Sequence, residues 1–282
     1  MHYKIIADSC CDKPEPIDFD WLHRVPLSIN LAEKSYIDDE TLCPETLLAD
    51  INASAEGPKS ACPSPGDFLE YYKGAEKDVY VVVLSKELSA TYESAVQAAN
   101  ICKEEMPDKN VHVFNSKSAA AGILLICTKI HELAEGGMAF AELVPTIESY
   151  IEELETLFVL EDLDILRKNG RLNKVQAAIT GTLRLKLVMG ATKEGTIHKV
   201  TQALSMTQAL NKMCAYVTAA VEKEYEGKLN HLVITHCFAK ERAEFVKEKL
   251  KSSLQIKHVI ICKSGGISTM YANRGGVILS YR

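Results

Sequence analysis

The first half of the chain alternates between short apolar runs and longer segments with helical periodicity. Residues 79–84 are apolar and mostly β-branched, which is typical of a strand buried on both faces. Beyond a polar block, Ala95, Ala98 and Cys102 continue at helical spacing. The same patterns predict strands over 3–7, 25–31 and 111–114, and helices beginning at Pro44 and Pro65 and covering 119–133 and 140–154. This alternation predicts an α/β domain that has a parallel sheet with helices on both faces.

The pattern changes after about residue 155, where short strands become more frequent. The apolar runs predict strands over 157–160, 186–191, 196–200, 232–235 and 258–262, and helices over 162–168, 174–185 and 239–250. Asn169-Gly170 is a typical helix end. We therefore expect two domains, an α/β domain over residues 1–156 and an α+β domain over residues 157–282.

The composition is that of an ordinary globular protein and argues against several classes of partner. Apolar residues make up 47% of the 282 residues, and the net charge is −6. Nucleic-acid binding needs clustered Lys and Arg, so we expect no nucleic-acid partner. The longest apolar run, 119–127, is too short to span a bilayer, and residues 1–6 lack the apolar core of a signal peptide. We expect a cytoplasmic protein without an integral membrane segment.

Nine cysteines are present, but their spacing indicates neither a disulfide framework nor a metal site. The count is odd, and no Cys-x-x-Cys pair occurs. A zinc site needs several ligands at short spacing, whereas His236-Cys237 is the only place where a histidine adjoins a cysteine. We expect reduced, mostly buried thiols and no bound metal.

A polar block over residues 84–95 indicates a site for an anion. The block joins the buried strand to the helix that follows, and ligands of open α/β sheets bind at such junctions. Free backbone amides and hydroxyl groups at the start of a helix suit a negatively charged group. Residues 88–92 contain no acidic or basic side chain, so the block is expected to hold a charged group rather than to transfer protons.

Four segments, taken in order along the chain, resemble the motifs of one protein family. Residues 5–9, Ile-Ile-Ala-Asp-Ser, are similar to its opening strand and Asp-Ser pair, and residues 60–65, Ser-Ala-Cys-Pro-Ser-Pro, to its Thr-Ser-Gln-Pro-Ser-Pro segment. Residues 88–95, Leu-Ser-Ala-Thr-Tyr-Glu-Ser-Ala, are similar to its Leu-Ser-Gly-Thr-Tyr-x-Ser-Ala block. Residues 166–171, Leu-Arg-Lys-Asn-Gly-Arg, are similar to its Leu-x-Lys-Gly-Gly-Arg block. The chain therefore resembles the DegV family, the fatty-acid-binding subunits of bacterial fatty-acid kinase systems.

The resemblance implies a carrier, rather than an enzyme, that binds a long-chain fatty acid in a buried tunnel between two domains. The family holds the ligand carboxylate with hydroxyl groups at the positions of Ser60 and Ser89, and it implies no cofactor. Further residues expected at the site are Ala61, Ala90, Thr91, Asp8, Ser9, Thr269 and Met270. In the family a separate kinase subunit phosphorylates the bound acyl group, and Arg171 and Asp38 are expected on the surface that faces this partner.

Three positions depart from the family pattern. The C-terminal Gly-Thr-His motif, whose His lies near the ligand head group, aligns with residues 268–270, which end in Met270, although a shift of one residue stays open. The Arg of a Lys-Val-Arg motif is Thr201, and the Gly after Leu-Ser is Ala90. Neither Met nor Thr supplies a charge-assisted hydrogen bond, so we expect normal fatty-acid binding but weak support of phosphoryl transfer.

Two other functions stay open. The first is a hydrolase in which Ser89 acts with His236 or His112, although the chain has neither a Gly-x-Ser-x-Gly motif nor a Gly-x-x-x-x-Gly-Lys loop. The second is a carrier or sensor of another apolar acid that is not coupled to a kinase. The missing Arg and His favour this second alternative.

Overall fold

The strands of the described residues form three sheets. The computed structural model describes residues 2–14, 19–175 and 185–282. Numbered along the chain, the strands are β1 (Tyr3–Asp8), β2 (Lys13–Pro14), β3 (Leu22–Val25), β4 (Ser28–Asn30), β5 (Ser35–Ile37), β6 (Lys59–Ala61), β7 (Asp78–Val83), β8 (Asn110–Asn115), β9 (Glu155–Val159), β10 (Lys186–Ala191), β11 (Ile197–Ala203), β12 (Lys228–His236), β13 (Gln255–Lys263) and β14 (Val277–Tyr281).

Helices connect most of these strands. Those of the described residues are α1 (Pro44–Ala53), α2 (Pro65–Tyr72), α3 (Thr91–Glu105), α4 (Ala121–Glu135), α5 (Phe140–Glu153), α6 (Asp164–Lys168), α7 (Met206–Tyr225), α8 (Lys240–Lys251) and α9 (Gly266–Ala272), with a short 3₁₀ turn at Asn173–Val175. None of these helices is both long enough and apolar enough to cross a bilayer. Most of the predicted 174–185 helix, residues 176–184, lies outside the described residues.

The first sheet is parallel, as the alternating sequence pattern predicts. Its strand order is β3-β1-β7-β8, and each neighbouring pair is parallel. Successive side chains of β7 point to opposite faces, so Val79, Val81 and Val83 pack with α2 and α3, whereas Tyr80 and Val82 pack with α4. Helices therefore cover both faces, which explains why this strand is apolar throughout.

A small antiparallel sheet, of order β5-β4-β6, carries Ser60. The continuous strand predicted over 25–31 is divided in the structure, because β3 ends at Val25 in the parallel sheet and β4 begins at Ser28 in the small sheet. Pro26 lies between them and has no N–H to donate to a ladder, which favours an interruption here. In β4, Ile29 pairs with Ser60.

The third sheet contains all the described strands of the second half. Its order is β11-β10-β9-β14-β12-β13-β2, and every pairing except that of β12 with β13 is antiparallel. The edge strand β2 comes from the first half, and α4 packs against β12 and β14 as well as against β1 and β7. The change of architecture near β9 agrees with the expected α+β second half, whereas the domain division at residues 156 and 157 stays a prediction.

Three of the described elements of the second half are absent from the sequence-based expectation: α7, α9 and β14. The helix α7 is capped by Ser205, whose hydroxyl accepts a hydrogen bond from Gln208 N, and it buries apolar residues at helical spacing. These buried residues are Met206, Ala209, Leu210, Met213, Cys214, Val217 and Val221. The cap and the spacing are signals that sequence reasoning could have used.

Candidate functional site

A cavity with mainly apolar walls lies between the loops at the carboxyl ends of the parallel strands and the seven-stranded sheet. Its water-accessible volume is about 120 Å³. Leu84 and Leu88 line it from the loop after β7, and Phe158 and Ile278 line it from β9 and β14. The carboxyl edge of an open α/β sheet is where such folds bind ligands. The walls suit an apolar ligand, since burial of apolar surface supplies most of the affinity at such a site.

Polar side chains from several parts of the chain line the same cavity, among them Ser60, Ser89, Arg171 and Tyr271. The Ser60 Oγ atom lies 3.1 Å from the Tyr271 hydroxyl oxygen, and the two hydroxyl groups form a hydrogen bond. The structure thus brings together the two serines that the sequence motifs single out, although they are 29 residues apart in β6 and in the loop before α3. Arg171 and Tyr271 line the same cavity.

Ser89 is held just before α3, next to the first backbone amides of that helix. Its Oγ atom lies 2.8 Å from Thr91 Oγ1, and it accepts a long hydrogen bond from Thr91 N at 3.4 Å. Thr91 is fully buried and does not line the cavity, whereas Ala90 and Ala61 are exposed to solvent outside it. Of these motif residues, Ser60 and Ser89 line the cavity, whereas Ala61, Ala90 and Thr91 do not.

Arg171 reaches the cavity because the chain turns sharply after α6. Gly170 has a φ of +78°, a left-handed conformation that favours glycine, and Arg171 N donates to Leu166 O. The guanidinium group is half-buried, and its Nε donates to Leu88 O at 3.1 Å. Asn169, which precedes the glycine, donates from Nδ2 to Pro58 O and ties this turn to the segment before β6. The positive charge of Arg171 therefore borders the cavity, although a partner-facing surface was expected.

The Asp8-Ser9 pair lies behind the cavity and fixes its loops. Asp8 is fully buried and accepts hydrogen bonds from Leu84 N at 2.7 Å and from Cys10 N at 2.9 Å. Burial raises the pKa of the Asp8 carboxyl to about 7, although these two N–H donors oppose the shift. Ser9 Oγ accepts from Leu27 N at 3.0 Å. Asp8 and Ser9 were expected at the site but are not among the described lining residues. Cys10 and Leu27 line the cavity instead.

Asp38 is buried, which differs from the expected exposure on a partner-facing surface. Only 7% of the residue is accessible, and its carboxylate accepts hydrogen bonds from Gly266 N at 2.7 Å and Ile267 N at 3.0 Å. Burial raises the pKa of Asp38, against the effect of these bonds. The carboxylate therefore satisfies free amides at the start of α9 and holds that helix in place. Because α9 carries Tyr271, Asp38 supports the cavity from behind.

The expected site residues Thr269 and Met270 point away from the cavity. Thr269 is fully buried, with its Oγ1 atom 2.7 Å from Ser264 Oγ, and Met270 is fully buried in the hydrophobic core. Ser268 and Tyr271, three residues apart on the same face of α9, line the cavity instead. Tyr271 was missed in the sequence. The only available signal was the alignment of the family Gly-Thr-His motif with residues 268–270. A shift of one residue in that alignment places Tyr271, rather than Met270, at the position of the histidine.

The described cavity wall contains no histidine. His112 pairs with Glu148 at 2.8 Å, and His236 Nδ1 accepts a long hydrogen bond from Ala239 N at 3.4 Å. Neither imidazole borders the cavity beside Ser89, so the geometry gives no support to the hydrolase alternative. Within residues 2–14, 19–175 and 185–282, no group of three His, Cys, Asp or Glu side chains is arranged to hold a metal ion.

Comparison with known proteins identifies the family. A model of the DegV family matches residues 2–281, and the chain belongs to this family. A DegV domain-containing protein of Streptococcus pneumoniae is 32% identical over 284 residues, which cover 100% of this chain and 99% of the relative. The fold and the family thus agree with the resemblance carried by the four sequence motifs.

Two solved structures show what similar proteins hold. A DegV-family protein from Ruminococcus gnavus, refined with vaccenic acid, is 42% identical, with a TM-score of 0.94 over 99% of both chains. The fatty acid kinase B3 protein of Streptococcus pneumoniae, loaded with linoleic acid, is 32% identical, with a TM-score of 0.89 over 100% of this chain and 99% of that protein. Both of these relatives bind long-chain fatty acids.

Proposed function

We propose that this protein binds a long-chain fatty acid in the cavity, with the carboxylate at Ser60 and Ser89 and the acyl chain along the apolar walls. The observation that carries the proposal is that these two hydroxyl groups, from distant motifs, line one apolar cavity. Similar proteins from Ruminococcus gnavus and Streptococcus pneumoniae hold vaccenic and linoleic acid, which supports the same class of ligand here. The proposed role is binding and transport rather than catalysis.

Such a site can provide both affinity for the acyl chain and partners for the carboxylate. Each buried methylene contributes about 0.8 kcal/mol, so a long acyl chain contributes roughly 10 kcal/mol before the costs of association are subtracted. A buried carboxylate needs hydrogen bonds or an opposite charge. The hydroxyl groups of Ser60 and Ser89, the amides at the start of α3 and the guanidinium group of Arg171 supply both.

The double variant Ser60→Ala/Ser89→Ala tests the ligand proposal. We expect it to weaken vaccenic-acid binding by roughly 2–4 kcal/mol, since two hydrogen bonds to a charged group are lost. Isothermal titration calorimetry measures this loss, and the melting temperature of the ligand-free variant should change little. The matched control is Ser252→Ala/Ser253→Ala, which removes two exposed hydroxyl groups after α8. Equal affinity of the two variants would contradict the proposed carboxylate site.

Mass spectrometry of organic extracts from the purified protein tests the class of ligand directly. The expected result is a co-purifying fatty acid of long chain. A different apolar acid would support the alternative carrier or sensor. Extracts without any acyl compound, together with no binding of added vaccenic acid, would exclude the proposed function.

We further propose that the bound acid is presented to a separate kinase subunit. The similarity to the fatty acid kinase B3 protein of Streptococcus pneumoniae supports this partner. Incubation of the loaded protein with such a kinase subunit and ATP, followed by trapping with hydroxylamine, detects acyl phosphate. Binding without acyl-phosphate formation would favour a carrier that is not coupled to a kinase.

A further inference from the structure

The hydrogen bond between Ser60 and Tyr271 joins two halves of the chain across the cavity. Ser60 lies on β6 of the small sheet, and Tyr271 lies 211 residues later on α9. Both residues line the cavity and both are half-buried. A hydroxyl group in an apolar wall needs a partner, and each of these two groups supplies one for the other.

We propose that Tyr271 is a third carboxylate-binding residue, acting together with Ser60 and Ser89. This inference rests on the proposed function, because it assigns a further contact to the same ligand. In the pair of hydroxyl groups only one O–H can donate to the other, so one proton is left for a further acceptor. A carboxylate between the two oxygens accepts from both, and the bond between Ser60 and Tyr271 is exchanged for two stronger bonds to a charged group.

The packing of α9 aims the phenol into the cavity before any ligand arrives. Asp38 accepts from the amides of Gly266 and Ile267 and fixes the start of the helix. Ser268 and Tyr271 share the face that lines the cavity, whereas Met270 is buried in the core on another face. A side chain that is already oriented loses little freedom on binding, so its hydrogen bond contributes more to affinity.

The contact assigns a specificity as well as a binding role. The Tyr271 and Ser60 hydroxyl groups lie side by side, 3.1 Å apart, and the positively charged Arg171 lines the same cavity. A carboxylate offers several acceptor sites and a negative charge to this arrangement, whereas an alcohol of equal chain length offers a single neutral oxygen. The tyrosine therefore favours free fatty acids over neutral lipids of the same length.

The test compares Tyr271→Phe with the unmodified protein, using vaccenic acid and the alcohol of the same chain as probes. We expect the dissociation constant of Tyr271→Phe for the acid to be roughly 10- to 100-fold larger, which is the effect of losing one hydrogen bond to a charged group. The alcohol should bind within about threefold of its affinity for the unmodified protein. Tyr150→Phe is the matched control, because Tyr150 is also half-buried but lies on α5 outside the cavity.

A double-mutant cycle with Ser60→Ala separates a shared contact from two independent ones. If both hydroxyl groups bind one carboxylate, the loss for the double variant should differ from the sum of the single losses, whereas independent groups would be additive. Unchanged acid affinity in Tyr271→Phe, or equal losses for acid and alcohol, would overturn the role of Tyr271 while the proposed function stands. Failure of the unmodified protein to bind either probe would overturn both.

Discussion

Two fully buried carboxyl groups, Asp8 and Asp12, give the protein a distinctive response to pH. Burial raises the pKa of each to about 7, in spite of backbone N–H donors that favour the charged form. Between roughly pH 4 and 7 the folded protein therefore binds these protons more tightly than the unfolded chain does. The free energy of unfolding contributed by each group is highest below pH 4 and falls as the pH rises toward 7.

Replacement of Asp12 by Asn tests this response. Asp12 Oδ1 accepts from Gly265 N at 2.8 Å, and the amide oxygen of Asn can keep this bond. In the unmodified protein, Asp12 lowers the free energy of unfolding by about 1.4 kcal/mol for each pH unit between about pH 4 and 7. We expect this contribution to the pH dependence to be absent in Asp12→Asn. Urea unfolding at several pH values measures the slope. The exposed Asp108→Asn serves as the control, and identical slopes for the two variants would contradict the assignment.

At the scale of elements, the sequence predicted what local pattern determines and missed what depends on tertiary contacts. The strand β7 is apolar and β-branched throughout, and Ser64 with Asp67 forms the capping box that the sequence Ser-Pro-Gly-Asp indicates at α2. The helix α9 has no comparable local signal. Its first amides are satisfied by Asp38, which is 228 residues away from Gly266 in the chain. No short-range pattern can reveal a cap of that kind.

The cap on α9 predicts a structural role for Asp38. In Asp38→Asn, one of the two accepting oxygens becomes an NH₂ group that faces a backbone N–H donor. We expect the free energy of unfolding to fall by about 1–3 kcal/mol, the cost of an unsatisfied buried donor. Vaccenic-acid affinity should fall as well, since α9 carries Tyr271.

The neighbouring Asp39→Asn is the control for this experiment. Asp39 is exposed, and its carboxylate accepts locally from Thr41 N at 2.8 Å. Chemical denaturation and calorimetry should separate the two variants clearly. If Asp38→Asn were as stable as the unmodified protein and bound the acid equally well, the carboxylate would not be holding α9.

At the scale of the whole molecule, the site exists only where the two halves of the chain meet. The cavity takes Leu84 and Ser89 from the loops of the parallel sheet, and Phe158 and Ile278 from the seven-stranded sheet. The motifs predicted that Ser60 and Ser89 lie at one site, and both line the same cavity. They could not predict Tyr271 or the inward position of Arg171, because these depend on how α9 and the turn after α6 pack against the first half.

A larger side chain at Ala191 tests whether the acyl chain fills this shared space. Ala191 lines the cavity at the end of β10, near Gly195, whose carbonyl accepts from Ser85 Oγ at 2.8 Å. We expect Ala191→Phe to displace two or three methylenes of an 18-carbon acid, a loss of about 2 kcal/mol of affinity. A 10-carbon acid should be affected much less, because it leaves that part of the cavity empty.

Thermal denaturation with and without each acid measures this effect. A ligand that binds only the folded protein stabilises it by about 2.7 kcal/mol at a concentration of one hundred times its dissociation constant. In Ala191→Phe the stabilisation by the 18-carbon acid should shrink, whereas Ala219→Phe, an exposed substitution on α7, should respond like the unmodified protein. Equal losses for the short and the long acid would place Ala191 beside the carboxylate instead of along the acyl chain. An unchanged response to both acids would mean that the acyl chain does not pass between the two sheets at this point.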